Sequence, residues 1–280
     1  MDRKEIMSAK KRIVVKIGSS TLTHPETGDM NLEKMERLVR ILADWSNAGM
    51  EVVLVSSGAI AVGRKAMNLK TRPKSQDLKQ ACAAIGQARL MMVYQKLFAE
   101  YNKMTAQVLI TKDTMINDTM RHNARNTFSK LLELGTIPVV NENDTVATDE
   151  IEFGDNDTLS AIVAALIHAD LLIILSDQDG FFTDDPRVNP DAKLVEEIDF
   201  ISDELEAMAK GAGTDVGTGG MAAKVSAARI ANDAGADMVI ANGADMNNLR
   251  RVVDGQQIGT LFRAHRNPDF HLINYLMKDR

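Results

Sequence analysis

Six short runs of β-branched and other apolar residues recur along this 280-residue chain, with helical segments between them. Runs this short and continuous are typical of strands buried on both faces of a parallel sheet. Because strands and helices alternate, the chain is predicted to be α/β, a three-layer α/β/α sandwich with a mainly parallel central sheet. Ligands of such folds bind beyond the carboxyl ends of the strands. The predicted strands are residues 13–17, 52–55, 106–110, 137–140, 171–175 and 238–241.

Capping residues and the spacing of apolar residues predict the helices between these strands. In "NLEKMERLVRILADW", Asn31 is placed as an N-cap, apolar residues recur on one face, and Gly49 follows as a stop. The longest predicted helix covers residues 75–101.

The charge, hydropathy and cysteine content of the chain argue against several classes of function. A formal charge of −6 argues against a surface for nucleic acid or anionic membranes. No segment approaches the roughly 20 apolar residues of a membrane span, and Cys82 is the only cysteine, which leaves no disulfide and no cysteine-based metal site. We therefore expect a cytoplasmic protein.

No repeat or low-complexity linker divides the chain. We predict a single domain over residues 1–262 with a soft boundary near residue 170, which gives lobes of about 11–170 and 171–262, followed by a tail at 263–280. The turn-rich segments 184–190 and 210–220 are predicted to be exposed loops.

Two predicted strands end in glycine turns that carry polar side chains. In "VVKIGSS", Lys16 either extends to solvent from an edge strand or points a cation at a phosphate beside the backbone N–H groups of the turn. In "VSSGAIAVG", Ser57 and Gly58 form either an ordinary helix N-cap or an anion-binding site at the helix N-terminus. The recurrence of such turns in one chain favours anion binding.

A glycine-rich segment, "GTGGMAAK" at residues 217–224, precedes another predicted helix. It is not a Walker A loop, because Lys224 does not directly follow a glycine, and it lacks the preceding strand of a dinucleotide-binding motif. What remains is a loop whose N–H groups and Lys224 could close on phosphates. Ser176 and Asp177 follow a predicted strand. They are either ordinary polar residues where the strand passes into a loop or part of the rim of a nucleotide site.

The stretch "VVNENDTVATDEIEFGDNDTLSA" at residues 139–161 is rich in carboxylates. The segment 149–152 is interpreted as a solvated hairpin. Asn141 and Asp144 follow a buried strand, whereas the segment 155–157 begins an apolar helix, where Asp155 and Asp157 suit the ordering of lysines or a phosphate-bound Mg²⁺. The spacing does not fit an EF-hand.

The five histidines support neither a zinc site nor a Ser-His-Asp triad. The lack of a general base suits a carboxylate acceptor, which is already ionised at neutral pH.

Seven motifs taken together resemble the glutamate 5-kinase branch of the amino acid kinase family. The resemblance implies that family's fold, with ATP and Mg²⁺ as co-substrates and L-glutamate as the phosphoryl acceptor in the first step of proline biosynthesis. It also implies an amino-acid lobe before residue 170 and a nucleotide lobe after it. The motifs, in chain order, are "VVKIGSSTLT", "VSSGAIAVG", "AAIGQARL", "PVVNENDTVAT", "FGDNDTLSA", "LSDQDGFFTDDPRVNP" and "GTGGMAAK".

The same resemblance assigns roles. Lys16 and Lys224 correspond to the catalytic cations, Asp157 to the residue that positions them, and Asp155 to a position near the metal. The glutamate-binding positions are Ser57, Gly58, Asn141, Asp144 and Asn156. The ATP-binding positions are Lys16, Ser176, Asp177, Thr218, Gly219, Gly220, Met221, Ala222, Ala223 and Lys224.

Further implications concern partners. Proline is implied as a feedback inhibitor, with residues 116–126 involved, and glutamate-5-semialdehyde dehydrogenase as a recipient of the labile product. A dimer or tetramer is implied, with no membrane or nucleic-acid partner. Many family members continue into a C-terminal PUA domain, which we do not expect in this chain. Two alternatives stay open: another amino acid kinase, acting on aspartate, acetylglutamate or carbamate, or a non-catalytic amino-acid sensor of the same fold.

Overall fold

The computed structural model describes residues 2–146, 155–211 and 220–277. Over these residues it contains an eight-stranded, mainly parallel sheet with helices on both sides, which confirms the predicted fold class. All six predicted strands are present, within two residues of their predicted ends. The strands are β1 (Arg12–Ile17), β2 (Glu51–Ser56), β3 (Thr105–Ile110), β4 (Ile137–Glu142), β5 (Leu171–Ser176), β6 (Glu197–Ile198), β7 (Asp237–Asn242) and β8 (Thr260–Phe262).

Helices occupy most of the remaining described chain. Among the residues with described positions, no helix combines the length and apolar character needed to cross a membrane. The helices are α1 (Arg3–Ser8), α2 (Ser19–Leu22), α3 (Leu32–Asn47), α4 (Ala59–Ala66), α5 (Gln76–Ala99), α6 (Lys112–Ile116), α7 (Asp118–Glu133), α8 (Asn156–Leu166), α9 (Asp203–Gly211), α10 (Met221–Ala234), α11 (Asn248–Val253) and α12 (Leu272–Met277).

The chain forms two compact units, which we call the continuous unit, residues 17–153, and the discontinuous unit, residues 1–16 and 154–280. The continuous unit contains β3, β4 and β2 in that order, all parallel. β4 lies between the other two and is buried throughout, as predicted. β3 is only partly buried, and the expectation of full burial is wrong for it, because it stands at the edge of the sheet.

The discontinuous unit contains β1, β5, β7, β8 and β6 in that order. β5 and β7 are parallel, from the pair Leu171–Asp237 to the pair Ser176–Asn242, whereas β8 runs antiparallel to β7. The two strands that the sequence pattern did not predict, β6 and β8, contain only two and three residues. Such short strands show no periodicity to detect. The functional division predicted near residue 170 remains a prediction.

Helix α3 has the predicted cap and core face. The Asn31 side-chain oxygen accepts a hydrogen bond of 3.0 Å from the backbone N–H of Lys34, which satisfies one free donor of the first turn. Met35 and Leu38 are fully buried on its apolar face. The chain leaves the helix at Gly49, whose φ of +88° is a conformation that glycine adopts without strain.

Helices α4 and α5 cross at unusually close range because glycine lies at both contact points. A Cβ atom on Gly63 would lie 1.8 Å from the carbonyl oxygen of Cys82, and one on Gly86 would lie 1.7 Å from that of Ala59. Backbone therefore packs directly on backbone, and α5 is a rigid support for α4 and for the turn that precedes it.

We expect Gly86→Ala to destabilise the protein. The new methyl carbon would lie 1.7 Å from a backbone carbonyl oxygen and force the two helices apart, at an overpacking cost of about 2–3 kcal/mol, which exceeds the ~1 kcal/mol that alanine gains over glycine within a helix. Denaturant unfolding should therefore show a net loss of about 1–2 kcal/mol. Ala84→Ser, which adds one heavy atom on the exposed face of α5, should change stability by less than ~0.5 kcal/mol. Unchanged stability of Gly86→Ala would contradict the close crossing.

Candidate active site

The discontinuous unit brings two lysines and one aspartate together. Lys16, the penultimate residue of β1, is 8% exposed, so the solvent-extending alternative is wrong. Its Nζ lies 2.5 Å from Asp157 Oδ1. Lys224, in the first turn and a half of α10, is 7% exposed and donates a hydrogen bond of 3.1 Å from Nζ to Asp157 Oδ2. One carboxylate therefore holds both ammonium groups.

Asp157 is placed by the start of α8. Asp155 is the N-cap of this helix and accepts a hydrogen bond of 2.7 Å from the backbone N–H of Thr158. Asp157 then falls in the first turn, where the partial positive charge of the helix N-terminus favours a carboxylate. It has no exposed surface, and its Oδ1 accepts no well-aligned hydrogen bond from the described residues. Its negative charge is therefore balanced chiefly by the lysines.

The formal charges of this cluster have a chemical consequence. Counted over Lys16, Lys224 and Asp157 alone, two ammonium groups face one carboxylate, so these three side chains carry one positive charge in excess in a buried setting, where charge is costly. Burial raises the pKa of the neighbouring Asp155 carboxyl; the Thr158 hydrogen bond and Lys16 oppose that shift, while the charge of Asp157 adds to it. An anionic ligand such as a phosphoryl group would neutralise the excess charge.

The described residues among the predicted nucleotide-binding positions lie mainly at the carboxyl end of β5 and at the start of α10. Ser176 is buried, and its hydroxyl donates to Asp177 Oδ1 over 3.1 Å, whereas Asp177 itself is exposed. Gly220 is the N-cap of α10, and a Cβ atom there would meet no described atom within 4 Å. Residues 221–223 form the first turn of the same helix, and the predicted positions Thr218 and Gly219 lie outside the described residues.

In the continuous unit, the Ser57–Gly58 turn follows β2 and begins α4. Gly58 has φ of +105°, a conformation that L side chains rarely adopt. The backbone N–H of Ser57 donates to the carbonyl oxygen of Ile17 over 3.1 Å. Glycine is needed here for the turn itself, so the motif has a structural reason beside any functional one.

The other positions predicted to bind the amino-acid substrate differ in their burial and hydrogen bonding. Asn141, at the end of β4, is buried, and its side-chain Nδ2 donates to Gln87 Oε1 over 3.1 Å. Gln87 in turn donates to Gln107 over 3.2 Å. Asp144 is partly buried in the turn after β4, and Asn156 is the first residue of α8. Gln87 lies within the motif "AAIGQARL", and no local sequence pattern indicates its hydrogen bond to Asn141, which is distant in sequence.

Two further predictions concern the acidic stretch of residues 139–161. The proposed solvated hairpin at 149–152 lies outside the described residues. Within the part of the chain that is described, no group of three or more His, Cys, Asp or Glu side chains could hold a metal ion. A metal near Asp155 would therefore need most of its ligands from elsewhere.

We expect Asp157→Asn to lower stability sharply. The variant keeps the side-chain size but leaves two buried ammonium groups without their shared carboxylate, so the free energy of unfolding in denaturant should fall by about 3–5 kcal/mol. Glu33→Gln breaks the exposed ion pair with Arg37 and should cost less than ~1 kcal/mol. Equal losses for the two variants would contradict the view that the buried cluster is tightly coupled.

Comparisons with known proteins identify the family of this chain. The model of the amino acid kinase family matches residues 11–242. A curated relative from Carboxydothermus hydrogenoformans, named glutamate 5-kinase, is 56% identical over 259 residues, which are 92% of this chain and 69% of that relative. A relative of the same name from Clostridium perfringens is 50% identical over 267 residues, 94% of this chain and 99% of its own length.

Solved structures with low sequence identity share the fold. UMP kinase from Ureaplasma parvum superposes with a TM-score of 0.64 at 19% identity, covering 91% of this chain and 99% of that one. Isopentenyl phosphate kinase from T. acidophilum gives 0.62 at 18% identity, covering 90% and 100%. With most of its length matched by the family model and by relatives of about half-identical sequence, the chain belongs to the amino acid kinase family.

Proposed function

We propose that this chain transfers the γ-phosphoryl group of ATP to the γ-carboxylate of L-glutamate, which gives L-glutamyl 5-phosphate and ADP, the first step of proline biosynthesis. The observation that carries this proposal is the buried cluster of Lys16, Asp157 and Lys224 in a chain about half-identical to proteins named glutamate 5-kinase.

The chemistry that we assign is direct in-line transfer. A carboxylate oxygen of glutamate forms a bond to the γ-phosphorus, and the bond from that phosphorus to the β,γ-bridging oxygen breaks, so ADP leaves with the electron pair. The attacking carboxylate is ionised at neutral pH and needs no general base. Lys16 and Lys224 stabilise the charge on the transferring group, and Asp157 holds both in place before the reaction begins.

Substrate recognition is assigned residue by residue from the family resemblance. The Ser57–Gly58 turn offers the backbone N–H of Gly58 and the hydroxyl of Ser57 to a carboxylate, because the N–H of Ser57 already donates to Ile17. Asp144 is assigned to the substrate ammonium group, because a carboxylate is its natural partner. The residues assigned to glutamate are Ser57, Gly58, Asn141, Asp144 and Asn156.

ATP is the co-substrate of this kinase, and we assign its binding to Ser176, Asp177 and the segment 218–224. The described residues offer no group of three or more His, Cys, Asp or Glu side chains that could hold a metal ion. The single carboxylate of Asp155 therefore suits Mg²⁺ only in the way that this ion commonly binds, through one or two carboxylates plus substrate phosphates and several waters. When bound, this ion would supply positive charge to the phosphate oxygens. Asp155 would hold it through the carboxylate oxygen that does not cap α8.

We also propose a cytoplasmic location, an oligomeric state of at least a dimer, and feedback inhibition by proline that involves residues 116–126. Transfer of the labile acyl phosphate to glutamate-5-semialdehyde dehydrogenase follows from the same proposal.

A coupled assay of ADP release tests the proposed function. Glutamate, aspartate, N-acetylglutamate and carbamate are each supplied with ATP and Mg²⁺, with and without proline. The proposal expects turnover on glutamate above the other three acids, and inhibition by proline that added glutamate relieves. Preference for another acid would indicate a different amino acid kinase, and no turnover on any acid would indicate a sensor.

The role of Lys224 can be tested by Lys224→Ala. Loss of one preorganised charge donor should lower kcat at least ~10²-fold, with a smaller effect on the KM for glutamate. Lys10→Met is the matched control, because Lys10 also pairs with a buried aspartate, Asp237, at 2.5 Å in the same unit but has no assigned role. Its kcat should stay near that of the parent. Near-parental kcat for Lys224→Ala would refute the catalytic role.

A further inference from the structure

A buried tyrosine hydroxyl on α5 reaches the residue that precedes the Ser57–Gly58 turn. Tyr94 has no exposed surface and Ser56 is 1% exposed, and their hydroxyl oxygens lie 2.8 Å apart. Both residues belong to the continuous unit. Ser56 is the last residue of β2, so this contact joins the long helix to the place where the chain leaves the sheet.

The two hydroxyls form a relay with a defined direction. Ser56 Oγ lies 3.4 Å from the carbonyl oxygen of Ser57, which can only accept a hydrogen bond. The direction in which each hydroxyl proton has an acceptor is Tyr94 to Ser56 and Ser56 to the Ser57 carbonyl, and we take this as the direction of the relay. Burial raises the pKa of Tyr94 far above its ordinary value, so this donor keeps its proton at neutral pH.

The relay orients a backbone group in the turn. The Ser57 carbonyl and the Gly58 N–H belong to one peptide, and the described chain contains no cis peptide bond. In a trans peptide these two groups point in opposite directions. Holding the carbonyl toward Ser56 therefore aims the Gly58 N–H away from it, and this N–H is the one that we assign to the substrate carboxylate.

The helix that carries Tyr94 is itself fixed. The glycine contacts at Gly63 and Gly86 hold α5 against α4, the helix that begins at this turn. Packing alone does not explain the tyrosine, because Phe98 fills the next turn of the same helix without a hydroxyl and is equally buried. The hydroxyl is thus the part of Tyr94 that the packing does not require.

We propose that Tyr94 is a positioning residue for the amino-acid substrate, acting through Ser56 on the Ser57–Gly58 turn. This inference rests on the proposed function, since it assigns that turn to the substrate carboxylate. It predicts that the Tyr94 hydroxyl sets the affinity for the amino acid and leaves ATP binding unaffected.

The test is steady-state kinetics of Tyr94→Phe, which removes the hydroxyl and keeps the ring. Loss of one hydrogen bond in the relay should raise the KM for glutamate about three- to tenfold, while kcat and the KM for ATP stay within about twofold. Tyr101→Phe is the matched control, because it removes a hydroxyl that donates to Glu36 in the same unit, remote from the turn. Its KM for glutamate should not change.

A double-mutant comparison separates positioning from general loosening. Ser56→Ala breaks the same relay, so Tyr94→Phe combined with Ser56→Ala should raise the KM no more than either change alone. Ser56→Thr keeps the hydroxyl and should retain parental KM. If Tyr94→Phe does not fold, Ser56→Ala carries the same prediction with the tyrosine in place.

The possible results distinguish a failure of the Tyr94 inference from a failure of the proposed function. An unchanged KM for glutamate in the folded variants, an equal rise in the KM for ATP, or additive effects in the double variant would each overturn the inference while leaving the proposed function intact. A parent protein that phosphorylates none of the four acids would overturn the proposed function and this inference with it.

Discussion

The ion pairs of Asp157 with Lys16 and Lys224 are the interaction on which the catalytic account depends. Asp157 is completely buried, and each of its oxygens faces one ammonium group, at 2.5 Å and 3.1 Å. Burying three charged groups is costly and is a poor way to gain stability alone. The arrangement becomes useful when a phosphoryl group enters, because the excess positive charge is already in place and need not be reorganised.

The fold supplies this cluster from three separate elements. Lys16 comes from a strand end, whereas Asp157 and Lys224 come from the first turns of α8 and α10. Strand ends and helix starts are where an α/β sheet offers N–H groups and positive potential to anions. In the continuous unit the same logic appears at the Ser57–Gly58 turn, which α5 supports through backbone packing at Gly86 and through the Tyr94 hydroxyl.

Sequence patterns predicted the strands that are long enough to show periodicity, and the N-cap at Asn31. They missed β6 and β8, which are too short, and the partial exposure of β3, which depends on its place at the sheet edge. The site was predicted mainly by resemblance, since Lys16 alone could have extended to solvent. Contacts between distant residues, such as that between Gln87 and Asn141, have no local signature and needed the folded chain.

The most direct test of the central claim is the turnover number of Asp157→Asn with saturating glutamate and ATP, at a temperature where its circular dichroism matches that of the parent. If Asp157 positions both lysines for phosphoryl transfer, kcat should fall at least ~10²-fold, while the KM for ATP changes less. A folded Asp157→Asn enzyme with kcat within about twofold of the parent would contradict the account, since the lysines would then act without their shared carboxylate.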